Sequence, residues 1–117
     1  MFFNNITVKI WICNSATDFR KQIDGLSILV ADSFSMQPTS GEFFVFYNPK
    51  RDKIKILYWD NDGFALWYKR LEQSKFIIPQ NLQTPLAINS KQLQWLLDGL
   101  DLSKFVSKKR LEYKDFF

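Results

Sequence analysis

Alternating apolar and polar positions predict strands in the first two thirds of the chain. In residues 6–13, isoleucine or valine occupies every second position, and β-branched residues of this kind favour strands. Three further segments, rich in aromatic and β-branched residues, are separated by short polar turns and lie at 43–47, 53–59 and 64–71. The Asp62-Gly63 dipeptide before the last of them is a hairpin signal. The pattern therefore predicts a β-meander, with residues 76–79 as a further short strand.

The first helix is predicted between residues 16 and 35. Apolar residues recur there at steps of three and four, which places them on one helical face. Ser15 stands three residues before Asp18, a variant of the capping box that marks a helix start. Gly25 interrupts the pattern and indicates either a close packing contact or a break between two shorter helices.

A second, shorter helix is predicted from Asn89 or Ser90 to Gly99. Its leucines recur at helical spacing and are expected to point inward, and Gly99 is well placed as a C-terminal cap. Residues 80–88, which precede it, are predicted as a loop.

These elements predict one α+β domain over residues 1–101. In it, an antiparallel four- to five-stranded β-meander sheet is covered on one face by an N-terminal amphipathic helix and a short C-terminal helix. Residues 102–117 are predicted as a basic, aromatic C-terminal tail. The apolar positions of this tail would allow it to dock back on the domain.

The composition restricts the chemistry more than it restricts the fold. At 117 residues, 17% of them aromatic, the chain has the size of one domain with its own core. It has one cysteine, Cys13, and no histidine, which excludes an internal disulfide, a Ser-His-Asp mechanism and zinc sites of cysteine and histidine. We expect a buried, inert thiol, no catalytic residues, no metal, no cofactor and no small-molecule substrate. Without a membrane-length apolar run or a secretory signal, a cytoplasmic protein is expected.

The net charge of +4 at pH 7 permits nucleic-acid binding without requiring it. The clustering of the charge is more informative, and the candidate DNA-binding residues are Arg20, Lys21, Lys50, Arg51, Lys53, Lys55, Lys69 and Arg70. Alternation places Lys53 and Lys55 on one sheet face with Trp59. On the neighbouring strand, Lys69 shares a side with Trp67. A sheet face of this kind suits nucleic acid, because cations neutralise phosphates and aromatic rings stack on exposed bases.

Plainer interpretations remain open for these groups. The lysines of the hairpin would also keep an exposed sheet edge soluble. Arg20 is also explained by a surface ion pair with Asp18. Asp60 and Asp62 are typical of a tight turn, in which Asp makes local backbone hydrogen bonds. The cations at 108–110 in the tail would either contact DNA or increase solubility.

Several segments together resemble one known family. They are TDFRK (17–21), GL (25–26), GEFFVF (41–46), KILYWDNDGF (55–64), LWYKRLE (66–72) and WLLDG (95–99). Over roughly residues 6–101 the chain resembles the TnpB-type accessory protein, the second reading frame product, of the IS-sixty-six insertion-sequence family. The resemblance implies a bacterial mobile element and a role beside a separate, much larger transposase. It implies no catalytic residues.

Three hypotheses follow for the function. The first is a non-catalytic accessory protein of transposition that binds DNA, the transposase or both. The alternative is a pure protein–protein interaction module that docks on the transposase without DNA contact. Its candidate partner-binding residues are Trp59, Trp67 and Tyr68, because Trp and Tyr dominate such interfaces. The third is a small metal-dependent nuclease that uses Asp18, Asp60 or Asp62, which the sparse carboxylates and absent histidine disfavour.

Overall fold

Residues 7–102 of the protein are described by a computed structural model, and they form five strands and two helices. In chain order the elements are β1 (Ile10–Ile12), α1 (Ile23–Ser33), β2 (Phe43–Tyr47), β3 (Lys53–Trp59), β4 (Phe64–Arg70), β5 (Leu86–Ile88) and α2 (Ser90–Leu97). This arrangement confirms the α+β class and the strands predicted at 43–47, 53–59 and 64–71, whereas within the described residues the strand predicted at 6–13 is limited to β1. The strand predicted at 76–79 is absent, because those residues are not part of the sheet.

The strands form one mixed sheet in the order β4-β3-β2-β1-β5. β1 runs parallel to β2, with Ile10 opposite Phe43, and all other neighbouring strands are antiparallel. The prediction of a purely antiparallel sheet was wrong at this pair, because α1 connects β1 to β2 and such crossover connections join parallel strands. The loop prediction for 80–88 was wrong at its last three residues, since β5 pairs with β1 and forms one edge of the sheet. β4 forms the other edge.

The two helices lie on opposite faces of the sheet and not together on one face, as the sequence had predicted. On one face, α1 contributes Leu26 and Val30 to a cluster with Phe44 and Phe46. On the other face, α2 packs into a cluster that includes Val45, Ile54, Ile56, Leu93, Leu96 and Leu97. All of β2 from Phe44 onward is buried, although alternate side chains of a strand point to opposite faces. A strand that is buried on both faces requires a cover on each.

α1 begins at Ile23, well after the start predicted at residue 16. Its N-cap is Gln22, which makes no side-chain cap hydrogen bond, so Ser15 does not cap the helix. The Asp18 carboxylate instead accepts a hydrogen bond from the backbone N–H of Arg20 at 3.0 Å. Asp competes with helix formation through local bonds of this type, and the chain therefore remains non-helical until residue 23.

α2 confirms the second predicted helix and both of its end signals. The Asn89 side chain accepts from the backbone N–H of Gln92 at 2.8 Å, and the Gln92 side chain accepts from the backbone N–H of Asn89 at 2.9 Å. This reciprocal capping box fixes the start of the helix. Gly99 follows the C-cap with φ +84°, the left-handed conformation that glycine adopts most readily.

Residues outside the helices and strands complete the cluster beneath α2. Phe76 and Ile78 are buried in it, and the backbone N–H of Phe76 donates to the carbonyl oxygen of Arg51 at 2.7 Å. Leu102 is buried in the same cluster. The rest of the predicted tail, including its cations at 108–110, lies outside the described residues.

Candidate nucleic-acid interface

A groove of about 870 Å³ opens on the α1 face of the sheet. Its floor is formed by side chains of β3 and β4, and its walls are formed by the β1–α1 connection at 16–22 and the β2–β3 turn at 48–50. The floor side chains lie on one face because the register pairs Lys55 with Tyr68 and Leu57 with Leu66. The lining includes Arg20, Lys50, Lys53 and two aromatic rings, so we call it the aromatic-basic groove.

Lys55 joins the floor of the groove to one wall. It is 5% exposed, and its Nζ donates to the carbonyl oxygens of Phe19 at 3.0 Å and of Lys21 at 2.8 Å. The same Nζ lies 4.8 Å from the ring centroid of Phe19 and 5.9 Å from that of Tyr68. Burial lowers the pKa of Lys55, while the carbonyl oxygens and ring faces stabilise its ammonium ion. The structure thus places this predicted phosphate ligand inside the protein, where it fixes the position of the wall.

Arg20 and Asp18 form an exposed ion pair at the mouth of the groove. The Nε of Arg20 donates to Oδ1 of Asp18 at 3.1 Å and to Oδ2 at 3.0 Å. The Nη2 of Arg20 donates to Oδ2 at 2.6 Å. The Arg20 side chain is 91% exposed. Hydrogen bonds from the side chain and backbone of Arg20 lower the pKa of Asp18 from 3.8 to about 2. The surface ion pair considered from the sequence is therefore present, and it lies within the groove lining.

The β2–β3 turn is held by Asn48, which is buried at its base. The Asn48 side chain donates to the carboxylate of Asp52 at 2.6 Å and accepts from the backbone N–H groups of Asp52 at 3.1 Å and Lys53 at 3.0 Å. The bond from Asn48 lowers the pKa of Asp52. These bonds hold the turn in one shape beside the groove, whose lining includes Lys50 and Lys53.

Lys21 contributes its backbone to the groove wall and its exposed side chain to the neighbouring surface. Its carbonyl oxygen accepts from Lys55, as described above. A Cβ at Gly25 would lie 3.2 Å from the Cβ of Lys21. This contact confirms the first of the two interpretations of Gly25, a close packing contact.

The other candidate cations lie outside the groove lining. Arg51 occupies the β2–β3 turn with φ 61°, and its carbonyl oxygen binds the segment at residue 76. Arg70 is opposite Lys53 in the sheet and pairs with Glu72 at 2.9 Å on the surface. Lys69 points to the opposite face, where its Nζ donates to the carbonyl oxygen of Leu97 at 3.1 Å, at the C-terminal end of α2.

The three candidate aromatic residues do not form one patch. Tyr68 lies on the groove floor and is 49% exposed. Trp59 lies at the far end of β3, where its ring meets that of Phe64 at a centroid distance of 5.0 Å. Trp67 packs against the cluster beneath α2, on the other face of the sheet. A single lysine–tryptophan face, as the sequence suggested, is therefore not formed.

The candidate carboxylates are divided between two places. Asp18 lies at the groove, whereas Asp60 and Asp62 lie in the β3–β4 turn, at the opposite end of β3 from Lys53. Within residues 7–102, no group of three or more cysteine or acidic side chains is placed to hold a metal ion. In the same range, no helix is long and apolar enough to cross a membrane.

Two residues of the site were not identified from the sequence. Phe19 lies within the first predicted helix, yet its ring and carbonyl oxygen both contact Lys55. Asn48 lies in one of the predicted polar turns. A usable signal for Asn48 was that it stands four residues before Asp52. Asn favours turns, because its side chain hydrogen-bonds to groups a few residues further along the chain. No local signal marked Phe19, since its partner lies 36 positions away.

The fold and the groove define a small α+β protein with a concave basic and aromatic surface. The family model described as "IS66 Orf2 like protein" matches residues 8–116. Two proteins of Sinorhizobium fredii are similar to the chain. The protein y4jC is 32% identical over 101 residues, which cover 86% of this chain and 86% of y4jC. The protein y4hO is 32% identical over 94 residues, which cover 80% of this chain and 82% of y4hO. No solved structure matches the chain.

The chain therefore belongs to the IS66 Orf2-like family, and it is an accessory protein associated with an insertion sequence. The match to the family reaches residue 116. It thus includes most of the predicted tail, which the segments noted in the sequence did not reach.

Proposed function

We propose that the protein is a non-catalytic accessory factor of transposition that binds DNA through the aromatic-basic groove, in the bacterial cytoplasm and in association with the element's transposase. The observation that supports the proposal is the convergence of Arg20, Lys50 and Lys53 around one concavity. Arg20 lies 30 positions before Lys50, and the fold brings it into the lining of the same groove as Lys50 and Lys53. Several cations along one groove suit a ligand whose backbone is a chain of phosphates.

The number of cations sets the expected salt dependence. Each phosphate contact contributes a slope of about −0.7 to −0.9 to the logarithm of affinity against the logarithm of salt concentration. Two contacts from Lys50 and Lys53, or three where Arg20 exchanges Asp18 for a phosphate, then weaken binding roughly sevenfold to fortyfold between 50 and 200 mM salt. Lys55 is not expected to contribute, because its ammonium is already bound by two carbonyl oxygens.

The test is fluorescence anisotropy with labelled DNA from the end of the element and with scrambled DNA of equal length. The variant Lys50→Ala/Lys53→Ala should weaken binding to both and flatten the salt slope. The control variant Lys9→Ala/Lys91→Ala removes the same charge from exposed positions outside the groove lining. Equal losses in the two double variants would show that net charge, and not the groove, determines the affinity.

The alternative function, docking on the transposase without DNA contact, gives the opposite pattern. DNA would not bind even at low salt, and binding of the purified transposase would be insensitive to salt and lost on truncation of an aromatic residue. Tyr68 is the most exposed of the three candidate aromatic residues, so Tyr68→Ala is the variant to use in that assay.

A further inference from the structure

We infer that the aromatic-basic groove is a binding site for single-stranded DNA, in which an unpaired base stacks on Tyr68 and the adjoining phosphates contact Arg20, Lys50 and Lys53 of the groove lining. The inference rests on the proposed function and specifies its ligand.

Tyr68 is placed as a stacking platform. It belongs to β4, which is an edge of the sheet, and its side chain lies on the groove floor while 49% of the residue stays exposed. Its ring lies beside that of Phe19, at a centroid distance of 6.4 Å and an interplanar angle of 59°. Aromatic side chains on a groove floor bind bases of any sequence, because every base has a flat π-face.

Lys55 supports the platform from within the protein. Its ammonium lies near the rings of both Phe19 and Tyr68, and its two bonds to backbone carbonyls fix it in that place. The rings are therefore held between a buried cation and the open groove. This arrangement preorganises the aromatic surface, so that little side-chain freedom is lost when a base stacks on it.

The cations are placed for the backbone of the same strand. The Arg20 side chain is almost fully exposed, and Lys50 and Lys53 line the same groove, in and directly after a turn that Asn48 holds in shape. A strand whose base lies on the floor would direct its phosphates toward these cations. A concavity that combines rings below with cations beside them matches the general design of grooves for single strands.

Duplex DNA is expected to bind this groove less tightly than single-stranded DNA. In a duplex the faces of the bases are covered by stacking, and an enzyme or binding protein reaches them only by extruding a base. Proteins that read a duplex usually insert a protruding helix or ribbon into its major groove. Here the exposed ring lies at the bottom of a depression of about 870 Å³, a volume in the range of sites for small ligands.

The experiment compares a labelled oligothymidylate of about 12 nucleotides, within the site sizes of single-strand grooves, with a duplex of equal length. We expect tighter binding of the single strand. Tyr68→Ala should weaken single-strand binding about tenfold, the usual effect of losing one stacking ring, and should lower the ratio of single-strand to duplex affinity. Tyr68→Phe keeps the ring and should restore the affinity. The melting temperatures of both variants establish that the fold is retained.

Three outcomes separate the two proposals. Single-strand preference that depends on the ring of Tyr68 supports both. Equal binding of the two DNA forms, unchanged in Tyr68→Ala, would overturn the single-strand inference and leave DNA binding by the cations in place. Absence of binding to either form at low salt would overturn both proposals.

Discussion

The Nζ of Lys55 donates to the carbonyl oxygen of Lys21 at 2.8 Å and so ties β3 to the segment that precedes α1. A second bond to the carbonyl oxygen of Phe19 completes the attachment. Because a helix starting at residue 16 would use these carbonyls in its own hydrogen bonds, the late start of α1 and the position of Lys55 belong to one arrangement.

The first prediction concerns the stability that this attachment provides. Lys55→Met keeps the apolar stem and removes the ammonium, so both carbonyl oxygens lose a charged donor. We expect the free energy of unfolding to fall by about 1.5–3 kcal/mol, the usual range for hydrogen bonds to a charged group. Urea denaturation measures the loss. The control Lys50→Met alters an exposed lysine and should change stability by less than about 0.5 kcal/mol. Equal effects of the two variants would contradict the structural role of Lys55.

The second prediction concerns the pH at which Asp18 titrates. The bonds from Arg20 lower its pKa to about 2, whereas the value in the unfolded chain is 3.8. The folded state therefore favours the charged form, and the stabilisation is present above pH 3.8 and lost as the pH falls toward 2. Carbon-13 NMR of the Asp18 carboxyl group should show this low midpoint. In Arg20→Gln the midpoint should return toward 3.8; a midpoint that stays near 2 would show that the ion pair is not its cause.

The third prediction uses the same ion pair to test how DNA meets the groove. The Asp18 carboxylate binds Nε and Nη2 of Arg20, two of the nitrogens through which a guanidinium holds a phosphate, and it neutralises the charge of Arg20. Asp18→Asn should release them and tighten DNA binding about twofold to fivefold at low salt, the size of one exposed charge pair. Glu72→Gln makes the equivalent change beside Arg70, outside the groove lining, and should have a smaller effect. If anisotropy showed an unchanged affinity in Asp18→Asn, Arg20 would not be part of the DNA-binding surface.

The sequence predicted the members of the groove better than their arrangement. Alternation along β3 correctly placed Lys53 and Lys55 on one face. It did not reveal that Lys55 is buried, because the covering wall comes from Phe19 and Lys21, more than 30 positions away. Burial of this kind depends on contacts that no local pattern contains.

The face of Lys69 could not be derived from the sequence, because it depends on strand register. β4 pairs with β3 so that Lys53 is opposite Arg70 and Ile54 is opposite Lys69. A shift by one residue would exchange the two faces of β4 and bring Lys69 to the groove. The placement of the two helices on opposite faces of the sheet could have been predicted more easily. The uninterrupted apolar run of β2 is typical of a strand that is covered on both sides.

The fourth prediction tests the capping box of α2. Asn89→Ala removes the side-chain acceptor for the backbone N–H of Gln92 and should cost about 1 kcal/mol of unfolding free energy. Asn89→Asp keeps an acceptor oxygen and should retain most of the stability. Thermal unfolding followed by circular dichroism provides the comparison. Since α2 lies on the face opposite the groove, neither variant should alter DNA affinity at temperatures where the protein is folded.

The last prediction separates a structural role of Lys69 from a role in binding DNA. Its Nζ donates to the carbonyl oxygen of Leu97, where the negative end of the α2 dipole favours a cation. Lys69→Met should therefore lower the unfolding free energy by about 1 kcal/mol and leave DNA affinity within twofold. Lys53→Ala should do the reverse, with a clear loss of affinity and little change in stability. If Lys69→Met instead weakened DNA binding as strongly as Lys53→Ala and left stability unchanged, the DNA-binding surface would have to extend around β4 to the α2 face.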